Sequence, residues 1–224
     1  MKSKQFRLIL AFLLFFVLQL FCIGRANSSP VTADFVGENS RLFIKDNASG
    51  LYQYNRTTKE ITSSLLAIYD VDESNFTYIS GLREITFDDK NNMYIASYEN
   101  STSGIIKIGQ NGNVMLDFVQ KEPSEKYWGI TYGNDNLLYV TESNSNKLRI
   151  FNLDGVLLSE YSDNRLNSPR GLAFDTKGNL IVCNSGAHSF LVYDSSFNFI
   201  TEVVVSTLHE PSGVSVNPNG LIYI

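Results

Sequence analysis

The chain has 224 residues, of which 43% are hydrophobic and 18% are charged, and its formal net charge is −5. This composition is that of an ordinary globular domain with enough apolar material for a core. A sequence pI of about 5.1 and the lack of any basic run argue against a nucleic-acid surface, because an acidic protein repels phosphate. The 12 Tyr and 15 Phe, together with many Val and Ile, favour strands over helices.

The beginning of the chain differs from the rest. Basic residues within 2–7 precede an apolar run over 8–23, and small residues follow up to Ala26. This order is typical of a secretory signal peptide, so we expect residues 1–26 to be cleaved and residues 27–224 to be secreted. The alternative is an uncleaved membrane anchor, but the apolar run has 16 residues, whereas a spanning helix needs about 20. We therefore expect no stable membrane span after cleavage.

Secretion changes what the cysteine and asparagine residues mean. Cys22 is removed with the signal peptide, which leaves Cys183 as the only mature cysteine and rules out an internal disulfide. Five Asn-x-Ser/Thr triplets permit N-linked glycosylation. They begin at Asn27, Asn47, Asn55, Asn75 and Asn100.

The sequence contains an internal repeat. Residues 168–194, SPRGLAFDTKGNLIVCNSGAHSFLVYD, pass from an apolar run through a polar turn into a second apolar run. Similar stretches begin at Leu82, Tyr127 and Glu210, and a more diverged copy begins at Asp34. The second apolar run begins at Leu42, Met93, Leu138, Leu180 and Ile222, with spacings of 51, 45, 42 and 42 residues. Periods of this length are typical of propeller blades.

Each copy is predicted to form four short antiparallel strands. Glycine and asparagine at 178–179 tolerate the positive φ angles of a tight hairpin turn, and polar turns separate the later apolar runs. No window outside the signal peptide shows a helical period. We therefore predict an all-β fold, a β-propeller of four-stranded blades. The expected blades span about 32–78, 79–125, 126–166, 167–208 and 209–224.

The clearest copy also resembles the NHL repeat of six-bladed propellers. The residues that match, in order, are Pro169, Gly171, Asp175, Gly178, Asn179, Ser185, Gly186 and His188, and Arg170 stands where the repeat accepts any residue. Three positions depart from that repeat: Asn184 replaces an aspartate, Ala187 an asparagine and Ser189 an arginine. The resemblance implies the propeller fold and says little about function, because such repeats share a scaffold.

The number of repeats predicts that the chain is a fragment of a longer product. Ile224 falls inside the second strand of the fifth copy, so the sequence holds about four and a third blades. A closed six-bladed ring with this period needs roughly 250 residues.

One set of equivalent positions is expected to face the central channel. The position that precedes the first-strand glycine of the repeat holds Arg83, Trp128, Arg170 or Ser212 in successive copies. These residues vary in charge and size where scaffold residues repeat, as expected of a surface that binds a ligand. Trp128 between two arginines is suited to an acidic or planar group. The alternative is that Trp128 covers the core and that the arginines lie at a solvated rim.

A second set of positions follows the second strand of each copy. It comprises Asp46, Ser97, Glu142 and Asn184. Oxygen atoms from several blades bind Ca²⁺ in the lactonase-type propellers that this architecture resembles. The favoured interpretation is that these groups hydrogen-bond the adjacent tight turns, which leaves Ca²⁺ as a weak possibility and no cofactor as the main expectation.

Other catalytic arrangements have less support in the sequence. A propeller lyase of the peptidyl-amidating type uses several histidines around zinc, and this chain has only His188 and His209. No Gly-x-Ser-x-Gly motif is present to activate a serine. Cys183 aligns with Ala96 and Thr141 and is predicted to fill a small core position.

Two classes of function therefore remain. The favoured class is a secreted, non-catalytic propeller scaffold that binds a protein, peptide or glycan partner. The alternative is a Ca²⁺-dependent lactonase-like or peptidyl-amidating-lyase-like enzyme whose remaining ligands follow Ile224.

Overall fold

The computed structural model describes residues 81–98, 103–110 and 114–224, and between residues 32 and 77 it describes the backbone of six strands. The predicted signal peptide lies outside the described residues. The same holds for Asp46 and for the sequons at Asn27, Asn47, Asn75 and Asn100, whereas Asn55 is the last residue of a strand.

Four sheets contain four strands each. The first consists of β1 Thr32–Val36, β2 Arg41–Lys45, β3 Leu51–Asn55 and β4 Glu60–Thr62. The second consists of β7 Leu82–Phe87, β8 Met93–Ser97, β9 Ser103–Ile108 and β10 Val114–Gln120. The third consists of β11 Tyr127–Tyr132, β12 Leu137–Glu142, β13 Lys147–Asn152 and β14 Leu157–Ser162. The fourth consists of β15 Pro169–Phe174, β16 Leu180–Asn184, β17 Ser189–Tyr193 and β18 Phe199–Val204.

Two smaller sheets and one short helical turn complete the described structure. One pair is β5 Ile68–Tyr69 with β6 Phe76–Thr77, and the other is β19 Ser215–Val216 with β20 Ile222–Tyr223. A 3-10 turn over Ser185–Ala187 is the helical structure of the described residues. None of the helical structure in that part of the chain is long and apolar enough to cross a membrane.

The strand order is that of a propeller. Each four-stranded sheet is an antiparallel meander in which neighbours along the chain pair with each other. The first strands of successive sheets, β7, β11, β15 and β19, lie beside one another. The prediction of an all-β propeller with four-stranded blades is therefore confirmed.

The core lies between neighbouring sheets. Leu138 and Leu180, which begin the second apolar run of their repeats, are 0% and 1% exposed. They belong to two apolar clusters, one between the second and third sheets and one between the third and fourth. The second strands β12 and β16 are almost fully buried, whereas the fourth strands β14 and β18 are largely exposed. Stacking of neighbouring sheets therefore supplies the main hydrophobic stabilisation.

Aspartate side chains fix several hairpin turns. The carboxylate of Asp175 accepts hydrogen bonds from the backbone amides of Lys177 and Asn179, both at 2.8 Å, and from the side-chain amide of Asn179. Asp88 and Asp194 make the same set of contacts in their own turns. These aspartates hold the polar turns that separate the apolar strands.

Candidate functional site

Three of the four channel-face candidates lie together. The guanidinium carbon of Arg83 is 4.6 Å from the ring centroid of Trp128, and that of Arg170 is 4.4 Å from it. The three residues belong to the inner strands of three successive sheets, β7, β11 and β15. Each guanidinium lies over the indole at a distance suited to a cation–π interaction. The arginines therefore contact the tryptophan directly, which leaves less of the indole face for a ligand.

Two further residues extend this group, and the sequence did not single them out. The ring of Tyr98 meets that of Trp128 edge-on at 5.1 Å, and Arg83 lies 4.9 Å from the Tyr98 centroid. The ammonium nitrogen of Lys126 is 5.1 Å from the same tyrosine ring. We call these five residues, Arg83, Tyr98, Lys126, Trp128 and Arg170, the cation–aromatic cluster. Tyr98 directly follows β8 and Lys126 directly precedes β11, two strands that carry predicted positions. This adjacency is the sequence signal that could have identified them.

The backbone around Gly129 explains why Trp128 and Arg170 are neighbours. A Cβ atom at Gly129 would lie 2.3 Å from the carbonyl oxygen of Arg170, so only glycine permits this approach of the two strands. The hydroxyl of Thr141 accepts a hydrogen bond from the Gly129 amide at 2.7 Å and donates one to the Arg170 carbonyl at 2.6 Å. One threonine thus joins β11 to β15 just beside the cluster.

Glu84 occupies the position at which the later repeats carry glycine. It is only 8% exposed, and its carboxylate accepts a hydrogen bond of 3.0 Å from the backbone amide of Ile130. The carboxylate lies close to Gly129, which leaves room for it. Between the second and third sheets, a side-chain oxygen from β7 therefore contacts the backbone of β11. Between the third and fourth sheets, the backbone of β11 approaches that of β15 directly.

Arg170 has donor groups that its protein contacts do not saturate. Its side chain is 23% exposed, and one terminal nitrogen is 3.5 Å from the carboxylate of Glu210, which is 65% exposed. The Nε atom is buried and has no hydrogen-bond partner among the described residues. Glu210 is therefore a weak, solvent-exposed partner that a tighter-binding anion can displace.

Ser212 joins the site through its backbone. Its carbonyl oxygen accepts a hydrogen bond of 3.1 Å from the amide of Gly171. Ser212 also lines a cavity of about 800 Å³ that runs along the inner strands beyond the cluster. Polar groups of Glu84, Thr86 and His209 line the cavity together with apolar residues of β7, β11 and β15. Its size is within the range of small-molecule sites in proteins.

Two of the candidates for a metal site, Glu142 and Asn184, already have protein partners. Glu142 is 3% exposed and accepts a hydrogen bond of 2.8 Å from Arg149. The Asn184 side chain accepts from the Asn167 amide at 2.6 Å and donates to the Arg165 carbonyl at 2.9 Å, so it fixes the segment that precedes β15. Ser97 is fully buried, and its hydroxyl has no hydrogen-bond partner among the described residues.

For the described residues, a calcium site stays a prediction. Within them, no group of three or more His, Cys, Asp or Glu side chains is placed to hold a metal ion. The fourth candidate, Asp46, lies outside the described residues.

The two histidines are neighbours at the rim of the site. Their ring centroids are 5.7 Å apart, and both side chains are exposed. Nδ1 of His188 accepts a hydrogen bond of 3.0 Å from the backbone amide of Glu210. Cys183 is fully buried beside Val214, and burial, together with the charge of Glu84, raises the pKa of its thiol to about 12. The thiol is therefore not ionised at neutral pH, which is consistent with a core position.

The family comparison matches one repeat. The sequence model of the NHL repeat matches residues 166–193, which include the strands β15 to β17 of the fourth sheet. The resemblance inferred from the residues of this copy is therefore confirmed. No curated protein matches the sequence.

Solved propeller structures match most of the chain. Virginiamycin B lyase from Staphylococcus aureus has a TM-score of 0.63 and 16% identity, over 88% of this chain and 63% of that one. A catalytically inactive variant of that lyase, with quinupristin, has a TM-score of 0.59 and 20% identity, over 85% and 61%. A Bacteroides caccae protein of unknown function has a TM-score of 0.58 and 12% identity, over 88% and 70%. The chain thus spans about three fifths of the lyase chains, and at these identities the likeness concerns the fold alone.

Proposed function

We propose that this NHL-repeat β-propeller is a secreted, non-catalytic scaffold that binds an anionic group of a protein, peptide or glycan partner at the cation–aromatic cluster. The observation that carries the proposal is the placement of two guanidinium groups, those of Arg83 and Arg170, within 5 Å of one indole ring.

The stacking geometry leaves the arginines suited to anion recognition. A guanidinium that lies over an aromatic ring uses its face, and its N–H donors point outwards in the plane of the group. Those donors match the two oxygens of a carboxylate, sulfate or phosphate. The indole also restricts the side-chain rotamers, so less conformational entropy is lost when an anion binds.

The local charge favours the same class of ligand. The chain as a whole is acidic, with a formal net charge of −5, yet the cluster gathers Arg83, Lys126 and Arg170 around two aromatic rings. Placing three cations close together costs electrostatic free energy, and a bound anion reduces that cost. Glu84 and Glu210 offset part of the charge, but Glu84 already accepts the Ile130 amide and Glu210 is largely exposed.

The alternative function is that of a propeller lyase or a Ca²⁺-dependent hydrolase. The likeness to virginiamycin B lyase motivates it, because that enzyme has a related fold. Among the described residues, the catalytic candidates of this alternative are His188 and His209, whose ring centroids are 5.7 Å apart. Residues beyond the described ones would have to supply the remaining catalytic groups.

The binding proposal is tested with two anionic probes of different chemistry. We would measure the affinity of the secreted chain for a heparin-derived hexasaccharide and for an oligo-glutamate peptide by isothermal titration calorimetry. The variants are Arg170→Gln and Arg83→Gln, and the control is Lys177→Gln, which removes the same charge from an exposed turn at the other end of β15.

The expected result is that at least one probe binds and that each arginine variant weakens it about tenfold or more, as expected for loss of a charge-assisted hydrogen bond. Lys177→Gln is expected to change the affinity by less than about twofold, since it alters only the overall charge. Equal affinities for the arginine variants and the wild type, or equal losses in all three variants, would refute the proposal.

A further inference from the structure

Two hydrogen bonds of the same kind join neighbouring repeats. In one, the side-chain oxygen of Asn146, in the loop between β12 and β13, accepts from the amide of Ser168 at 2.8 Å. In the other, Nδ1 of His188, in the loop between β16 and β17, accepts from the amide of Glu210 at 3.0 Å. Residues 146 and 188, like residues 168 and 210, are 42 positions apart. We call these two contacts the junction hydrogen bonds, because each ties one sheet to the segment that enters the next.

The backbone confirms that the two junctions are equivalent. All four residues have positive φ, at 56° for Asn146, 48° for Ser168, 54° for His188 and 44° for Glu210. Residues other than glycine rarely adopt this conformation, so its recurrence at both ends of both contacts reflects one shared geometry. The junctions differ in the acceptor: an amide oxygen in one and an imidazole nitrogen in the other.

That difference makes one junction sensitive to pH. An amide oxygen accepts a hydrogen bond at any physiological pH. An imidazole nitrogen accepts only while it carries no proton, and histidine side chains commonly change charge between pH 5 and 8. Once Nδ1 is protonated, two N–H groups face each other and the hydrogen bond is lost.

We infer that protonation of His188 opens the junction between β16–β17 and the segment entering β19, while the junction at Asn146 stays closed. The ring of His209 lies 5.7 Å from that of His188, and Glu210, which donates its backbone amide to His188, directs its carboxylate to Arg170. Glu202, on β18, is engaged by the hydroxyl of Ser189 at 2.6 Å.

Opening also changes the cation–aromatic cluster. The closed junction holds Glu210 in place, and its carboxylate lies 3.5 Å from Arg170. Release of this segment removes that carboxylate, so the N–H donors of Arg170 become available to an external anion. This consequence rests on the proposed function, whereas the opening of the junction does not.

The opening is tested by amide hydrogen exchange of the full chain, resolved to single residues and corrected for intrinsic exchange rates. Between about pH 8 and about pH 5, we expect the Glu210 amide to lose roughly fivefold protection, as for the loss of one ordinary hydrogen bond. The Ser168 amide serves as the internal control and is expected to keep its protection. Equal pH responses at the two amides would overturn the inference.

Exchanging the two acceptors gives a sharper test. His188→Asn is expected to keep the Glu210 amide protected at both pH values, because asparagine already occupies this backbone conformation at position 146. Asn146→His is expected to transfer the pH response to Ser168. His209→Asn should leave the response at Glu210 in place. Persistence of the response in His188→Asn, or its loss in His209→Asn, would contradict the assignment to His188.

The link to ligand binding is measured separately. The affinity for whichever of the two anionic probes binds is expected to rise more at acid pH in the wild type than in His188→Asn. If the exchange results hold but this difference is absent, the junction opens as inferred and the proposed ligand site is wrong. If the exchange results fail, the inference fails whatever the probes show.

Discussion

The hydroxyl of Thr141, on the second strand of one sheet, donates a hydrogen bond of 2.6 Å to the carbonyl oxygen of Arg170, on the first strand of the next. The hydroxyl oxygen of Thr141 also accepts a hydrogen bond from the backbone amide of Gly129. One fully buried side chain thus satisfies two backbone groups at the place where Trp128 and Arg170 meet. The geometry of the cation–aromatic cluster depends on this contact.

Replacement of Thr141 by valine is expected to destabilise the protein by about 2–4 kcal/mol, because it leaves the Gly129 amide and the Arg170 carbonyl without a partner in a buried site. Thr141→Ser keeps the hydroxyl and is expected to cost less than about 1.5 kcal/mol. Urea unfolding followed by tryptophan fluorescence measures both, since Trp128 is the only tryptophan of the chain. A valine variant as stable as the serine variant would contradict this role of the hydroxyl.

Removal of the Glu84 side chain is expected to weaken the junction between the second and third sheets. Glu84→Ala deprives the buried Ile130 amide of its acceptor and should cost about 1–3 kcal/mol. Glu84→Gln retains a side-chain oxygen and is expected to lose less. The comparison of the two unfolding midpoints in urea is the test, and equal midpoints would show that the Ile130 amide does not depend on this acceptor.

The stability of the protein is expected to fall in acid through its turn aspartates. Burial opposes ionisation of Asp175, but hydrogen bonds from Asn179 and Lys177 outweigh it and lower the pKa of this carboxyl group. A lowered folded-state pKa gives stability that is present above the pKa of the unfolded chain and is lost as the pH falls through the folded-state value.

Asp175→Asn should therefore reduce the loss of stability between about pH 5 and about pH 2, at a small cost near neutral pH. Asn152 and Asn217 show that an asparagine oxygen can accept the same backbone amides in equivalent turns. The test is the urea midpoint of both proteins across this range. If the urea midpoint falls with pH by the same amount in the wild type and the variant, Asp175 is excluded as a source of the acid sensitivity.

The Cys183 thiol is expected to be inert in the folded protein. It is fully buried, and burial raises its pKa to about 12, so almost no thiolate exists at pH 8. A thiol-reactive disulfide reagent should label it only after denaturation. Rapid labelling of the native chain would show that β16 opens readily.

The sequence predicted the fold well because the repeat register and the strand period are local signals. Met93, Leu138 and Leu180 were predicted to lie in the second strand of their copies, and all three lie buried in β8, β12 and β16. The same register placed Arg83, Trp128 and Arg170 at equivalent positions. It did not predict that the arginines would stack on the tryptophan, because rotamers and the approach at Gly129 are properties of the packed structure.

Other parts of the site had no sequence signal of their own. Glu84 replaces a glycine of the repeat, and its use as an acceptor for Ile130 follows only from the geometry of the junction. Glu210 reaches Arg170 and His188 through a backbone with positive φ, a conformation that no sequence pattern indicated. Such contacts join residues tens of positions apart, so patterns within one repeat do not report them.

The equivalence of Asn146 and His188 has an evolutionary consequence. The codons for asparagine and histidine differ by one base, and both side chains tolerate the left-handed backbone that the two residues share. A junction of this kind can gain or lose its proton dependence in a single mutational step that preserves the fold. Acid response is thus a trait that selection can adjust independently at these two junctions.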